Sequence, residues 1–67
     1  MEVLTVYAST VRRGDIVNIE RTQLRVRDML ALHGGRKRLF LDNGMTVVLD
    51  TETPLIARRA AVVRITS

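Results

Sequence analysis

Sixty-seven residues, 46% of them hydrophobic, with no cysteine and a formal charge of +4, make one domain spanning residues 1–67. The chain lies near the lower size limit for folding without staples. Disulfides and thiolate metal sites are excluded, in keeping with a reducing cytoplasm. The apolar share is too high for a disordered chain, and the surplus positive charge points to polyanions before basic partners.

The chain opens on Glu2 to Ala8, EVLTVYA, whose β-branched and aromatic residues predict a first strand. It has no basic signal-peptide start, and no apolar run approaches the ~18 residues of a membrane span, so a soluble cytoplasmic protein with no membrane partner is expected. Ser9 to Asp15 interrupts the pattern, and the Arg13-Gly14-Asp15 turn leads into Ile16 to Glu20. There Val17 and Ile19 alternate with polar residues, as in a half-buried strand. After a short Arg21-Thr22 connection, Gln23 to His33 reads as another strand, because the run is too short and too poorly capped for a helix. Strict alternation would place Asp28 on the same face as Leu24, Val26, Leu30 and Leu32, so a bend or bulge is expected there.

Gly34-Gly35 supplies the next turn, and Arg36 to Asp50 forms a hairpin about Asp42-Asn43-Gly44. A three-residue loop with Gly44 left-handed pairs Leu39 with Val47 and Leu41 with Met45. That register buries Leu39, Leu41, Met45, Val47 and Leu49 and leaves Arg38, Phe40, Thr46 and Val48 outside. A one-residue slip would mix charge and hydrophobe on one face. Thr51 to Ile56, with the only proline at Pro54, is expected to be an irregular turn or a single helical turn. Ala57 to Thr66 ends the chain as a strand with Ala61, Val63 and Ile65 inward and Val62 and Arg64 outward.

Short strands joined by tight turns predict an all-β, strongly bent antiparallel sheet that closes into a small barrel and hides its edges. The order of RRGDIVNI, a longer second strand, the hairpin FLDNGMTVV, a proline-bearing turn and AAVVRI resembles the SH3-like barrel superfold. It is similar to the N-terminal barrels of translation elongation factors, whose Gly-Asp-x-Val strand entry matches Gly14-Asp15-Ile16-Val17. The resemblance covers residues 11 to 66 and implies a fold more than a function, since that superfold hosts nucleic-acid binders, peptide binders and assembly modules. With only Tyr7 and Phe40 as aromatics, the chain departs from the groove that takes proline-rich ligands.

No enzyme is expected. His33 stands in a turn without a cysteine, a second histidine or a base beside it, so no metal or organic cofactor is anticipated. Asp15 and Asp42 read as turn residues that bond nearby amides. Of the eleven basic residues ten are arginine, which suits phosphates and base stacking and is also what a GC-rich bacterial genome would give.

Alternation places Arg25 and Arg27 on the outer face with Arg38 and Phe40, flanked by Arg36 and Lys37. A row of cations with one aromatic is what sequence-tolerant DNA or RNA binding uses. The plainer alternative reads these residues as merely the solvated outer face of an amphipathic sheet. The alternative function is assembly, with itself or with another protein. Val3 and Tyr7 on the outer face of the first strand would meet the partner, with Phe40, Val48 and Val62 as further exposed apolar surface.

Overall fold

A computed structural model describes residues 2–60. Six strands form one antiparallel sheet: β1 (Glu2–Val6), β2 (Ile16–Ile19), β3 (Thr22–Ala31), β4 (Lys37–Leu41), β5 (Thr46–Leu49) and β6 (Leu55–Arg59). Their order across the sheet is β1-β6-β2-β3-β4-β5. A short 3₁₀ turn at His33–Gly35 joins β3 to β4, with Gly34 and Gly35 both at positive φ, where glycine bears no Cβ penalty.

The long β3 is shared between two halves of the sheet. Thr22 to Arg25 pairs with β2, and Val26 to Ala31 pairs with β4, with a register shift between Val26 and Asp28. The expected bulge is therefore present, and its effect is to reset the alternation. Val26 stays inward opposite Leu41, Asp28 turns outward opposite Phe40, and Met29 takes the inward place opposite Leu39. Leu30 consequently lies outside, 51% exposed, against the expectation that it would share the core with Leu24 and Val26. An inward Asp28 would have carried a carboxylate into the apolar layer, and the extra residue removes that cost.

The central hairpin has the expected register. Leu39 lies opposite Val47, the Leu41 amide donates to the Met45 carbonyl at 2.9 Å and the Gly44 amide to the Leu41 carbonyl at 3.0 Å. Asn43 accepts from the Met45 amide at 3.0 Å, and Gly44 has φ +84. Met45, at the mouth of the loop, is 46% exposed and does not join the buried face. Gly44→Val forces a β-branched residue into the left-handed region and should cost about 1 kcal/mol or more of stability. An unchanged urea midpoint would contradict this turn. The β2–β3 connection is tighter than expected: Ile19 pairs with Thr22, and Glu20 and Arg21 both have positive φ.

Nine side chains form the core: Val6, Ala8, Val11, Val17, Val26, Leu39, Leu41, Leu49 and Ala57. They come from all six strands and from the loop after β1, so one face of the sheet carries the apolar layer.

The sheet is not closed into a barrel, contrary to the expectation from the sequence. β6 hydrogen-bonds on one side to β2 and on the other to β1, so the first strand adds to the outside of β6. Among the described residues β1 and β5 each have one neighbour and form the two edges. The last strand begins earlier than expected, at Leu55 instead of Ala57. The positions assigned to Ala61, Val62, Val63, Arg64 and Ile65 lie outside the described residues.

Candidate functional site

Two surfaces and one buried ion pair carry the polar chemistry of the described residues. The ion pair joins Asp15, 1% exposed, to Arg59. Arg59 Nε donates to Asp15 Oδ1 at 2.7 Å and a terminal guanidinium nitrogen donates to Oδ2 at 2.8 Å, a two-pronged geometry that arginine alone provides. The Arg12 amide also donates to Oδ2 at 2.9 Å, and the Arg59 guanidinium reaches the Thr10 carbonyl at 3.1 Å.

Burial pushes the Asp15 carboxyl up, but the hydrogen bonds from Arg59 and the Arg12 amide and the charges of both arginines outweigh it, leaving the group below its ordinary value. The hydrogen bond to Asp15 holds Arg59 charged against its partial burial, helped by the charges of Asp15 and Glu2. Asp15 thus does bond a nearby amide, as a turn residue should. Its larger task is to tie the β1–β2 loop to β6.

The outer face of β6, β2 and β3 carries the first surface. Ile16 lies directly opposite Arg58 on one side and Arg25 on the other. The two arginines therefore stand two strand spacings apart, about 10 Å between main chains. Val26 exchanges main-chain bonds with its neighbours across the sheet, accepting from the Gly14 amide and donating to the Asp15 carbonyl, both at 2.8 Å. This lays the Arg13-Gly14 turn beside Arg27. Gly14 has φ +91, and a Cβ there would meet nothing within 4 Å, so the space above it is open. Arg13, Arg25, Arg27 and Arg58 are all exposed. Among the described residues the Asp15–Arg59 contact is the one salt bridge, so none of these four is neutralised by a carboxylate.

The outer face of β3, β4 and β5 is different in character. Arg38 stands between Leu30 and Val48, and Phe40 between Asp28 and Thr46. Leu30 and Val48 are about half exposed, while Phe40 is half-buried. All four residues expected to form one outer stripe, Arg25, Arg27, Arg38 and Phe40, come from the outward rows or the bulge between them. The bulge sets Asp28 and Leu30 across from Phe40 and Arg38, so the two arginines of β3 group with β2 and β6. Arg36 lies in the connection before β4 with its Nε directed at the His33 carbonyl, 3.4 Å, and Lys37 is half-buried opposite Ala31 and Leu49. Arg58, a member of the Arg58-Arg59 basic pair in the sequence, was not expected in the stripe, although alternation from the inward Ala57 already points it outward.

The second surface is the edge at β1. Val3 is 65% exposed and Tyr7 39%, on the face opposite Leu4 and Val6, as expected. A cleft of about 460 Å³ follows this strand, lined by Leu4, Thr5, Tyr7, the Ser9 to Arg12 turn and Arg59.

His33 is exposed in its turn. Among the described residues no three His, Cys, Asp or Glu side chains gather as a metal cluster would, and no helix is long and apolar enough to cross a membrane. Comparison with known family models, curated proteins and solved structures finds no match to this chain.

Proposed function

We propose that the protein binds nucleic acid through the backbone phosphates, using the outer face of β6, β2 and β3, and that it is not an enzyme. The observation that carries this reading is the gathering of Arg25, Arg27 and Arg58, with Arg13 at the margin, around Ile16 and the open Gly14 turn. Guanidinium groups without carboxylate partners, held by a rigid sheet, offer phosphate oxygens charge-assisted hydrogen bonds at little ordering cost. The arginines come from two strands and one loop, so the cluster belongs to the fold and not to one local run of sequence.

Phosphate contacts position a protein on nucleic acid without reading bases. Modest sequence preference follows. Phe40 contributes less to this reading than the sequence suggests, because Asp28 beside it repels phosphate and the residue is half-buried. Phe40→Ala therefore serves to separate stacking from charge: loss of a stacking platform lowers affinity with little change in salt dependence.

Reversal of Arg25, Arg27 and Arg58 to Glu should weaken binding to a single-stranded or duplex oligonucleotide at least roughly tenfold at low salt. Arg36→Glu, which lies outside the cluster, should weaken it much less. Equal losses for the triple reversal and for three reversals placed elsewhere would mean that net charge alone attracts the polyanion and that this face has no special part in it.

A further inference from the structure

We propose that two copies of this chain join edge to edge through β1, antiparallel about a two-fold axis at Thr5, so that their sheets run together as one. β1 is an edge strand, paired with β6 on one side and with nothing on the other among the described residues. Such an edge presents a row of main-chain donors and acceptors, which proteins normally protect with charge, proline or a bulge. β1 has none of these past Glu2. Val3 to Val11 is the longest stretch of the chain without a charged residue. No charge of the strand itself past Glu2 therefore opposes a second copy. The other edge, β5, is flanked by Asp42, Asp50 and Glu52, so two copies meeting there would bring like charges together.

The strand is also complementary to itself. Opposed residues of an antiparallel pair share a face, so an even register keeps the apolar layer continuous from one copy to the next. With Thr5 facing Thr5 of the partner subunit, Leu4 meets Val6 of the partner subunit on the inner face. On the outer face the exposed Val3 meets Tyr7 of the partner subunit. Both are favourable cross-strand pairs, aliphatic with aliphatic and β-branched with aromatic. The ladder ends at Tyr7, whose amide is held by Thr10 Oγ1 at 2.8 Å and whose carbonyl accepts from the Thr10 and Val11 amides at 3.0 and 2.9 Å. At that end Glu2 of the partner subunit falls opposite Ala8, next to the Ser9 to Arg12 turn. There Arg12 is among the residues that line the cleft following β1, an opposite charge for the only acid on the strand.

This inference stands apart from nucleic-acid binding, and its test is a mass. Sedimentation equilibrium of the full chain should give twice the 7.6 kDa of one copy. Thr5→Lys should return it to one copy with an unchanged β-rich circular-dichroism spectrum, while Val48→Lys near the other edge leaves the dimer intact. Because the chain has no cysteine, Thr5→Cys gives a single thiol that should oxidise to a covalent dimer far faster than Asn18→Cys, and this readout holds if the lysine variant fails to fold. A wild-type chain that sediments as one copy at high concentration overturns the proposal. So does a dimer undone by Val48→Lys but not by Thr5→Lys, or one whose Thr5→Cys variant does not cross-link.

Discussion

Asp15→Ala is expected to lower the unfolding free energy by about 3 kcal/mol, since removing one member of a buried, doubly hydrogen-bonded ion pair leaves the other charge without its partner. Arg59 is a quarter exposed along its side chain, so water recovers part of the loss and the figure sits at the low end for buried pairs. The Arg12 amide and the Arg59 guanidinium both lose an acceptor, which adds to the cost. A domain of this length has roughly 3–10 kcal/mol in total, so the variant should lose a large share of its stability.

The pair also sets a pH dependence. Asp15 has a folded pKa below its unfolded value, so the unfolded chain takes up the proton first, and the stabilisation is complete above the ordinary carboxylate range. It drains away as the pH falls below about 4. The gap in stability between wild type and Asp15→Asn, measured by urea denaturation, should therefore be widest at neutral pH and shrink in acid. A gap that is constant from neutral to acid pH would mean that the charge of Asp15 contributes nothing.

Leu39→Ala should cost a similar amount, about 3–4 kcal/mol, because the side chain has no exposed surface and its removal leaves a cavity at the centre of the core. It lies opposite Met29 on one side and Val47 on the other, so neighbours from both flanking strands would have to collapse to fill the space. Leu30→Ala is the informative comparison. With β3 bulged, Leu30 faces solvent and the substitution should cost less than about 1 kcal/mol. With β3 unbroken, Leu30 would sit in the core and the two substitutions would be equally damaging. Urea midpoints of the two variants therefore decide the register of β3.

The comparison of these leucines shows what the sequence carried and what it did not. The hairpin at Asp42-Asn43-Gly44 was legible down to its register, because turn chemistry and the apolar pattern agreed. The place of the bulge was legible too, from the conflict of Asp28 with its neighbours. Its consequence for Met29 and Leu30 was not, since the alternation after a bulge depends on which residue the partner strand skips.

Closure failed as an expectation for a similar reason. Local pattern shows that β1 and β6 are strands but says nothing of which one flanks β2, and β1 adding outside β6 leaves two edges. The Asp15–Arg59 pair spans 44 residues of sequence, and no spacing rule connects a turn aspartate to one arginine among ten. For the basic face, alternation gave the correct side for Arg25 and Arg38. The grouping changed because cross-strand neighbours, fixed only by register, decide which cations stand together.

The central claim, that the face around Ile16 holds phosphates, is tested most directly by the salt dependence of nucleic-acid binding by the wild-type chain. With three phosphates neutralised by Arg25, Arg27 and Arg58, the logarithm of the association constant should fall linearly with the logarithm of salt concentration, with a slope of about −2 to −3. The triple reversal to Glu should flatten that line as well as lower it. No detectable binding of wild type to single- or double-stranded DNA or RNA at low ionic strength would contradict the claim and leave these arginines as a solvated sheet face.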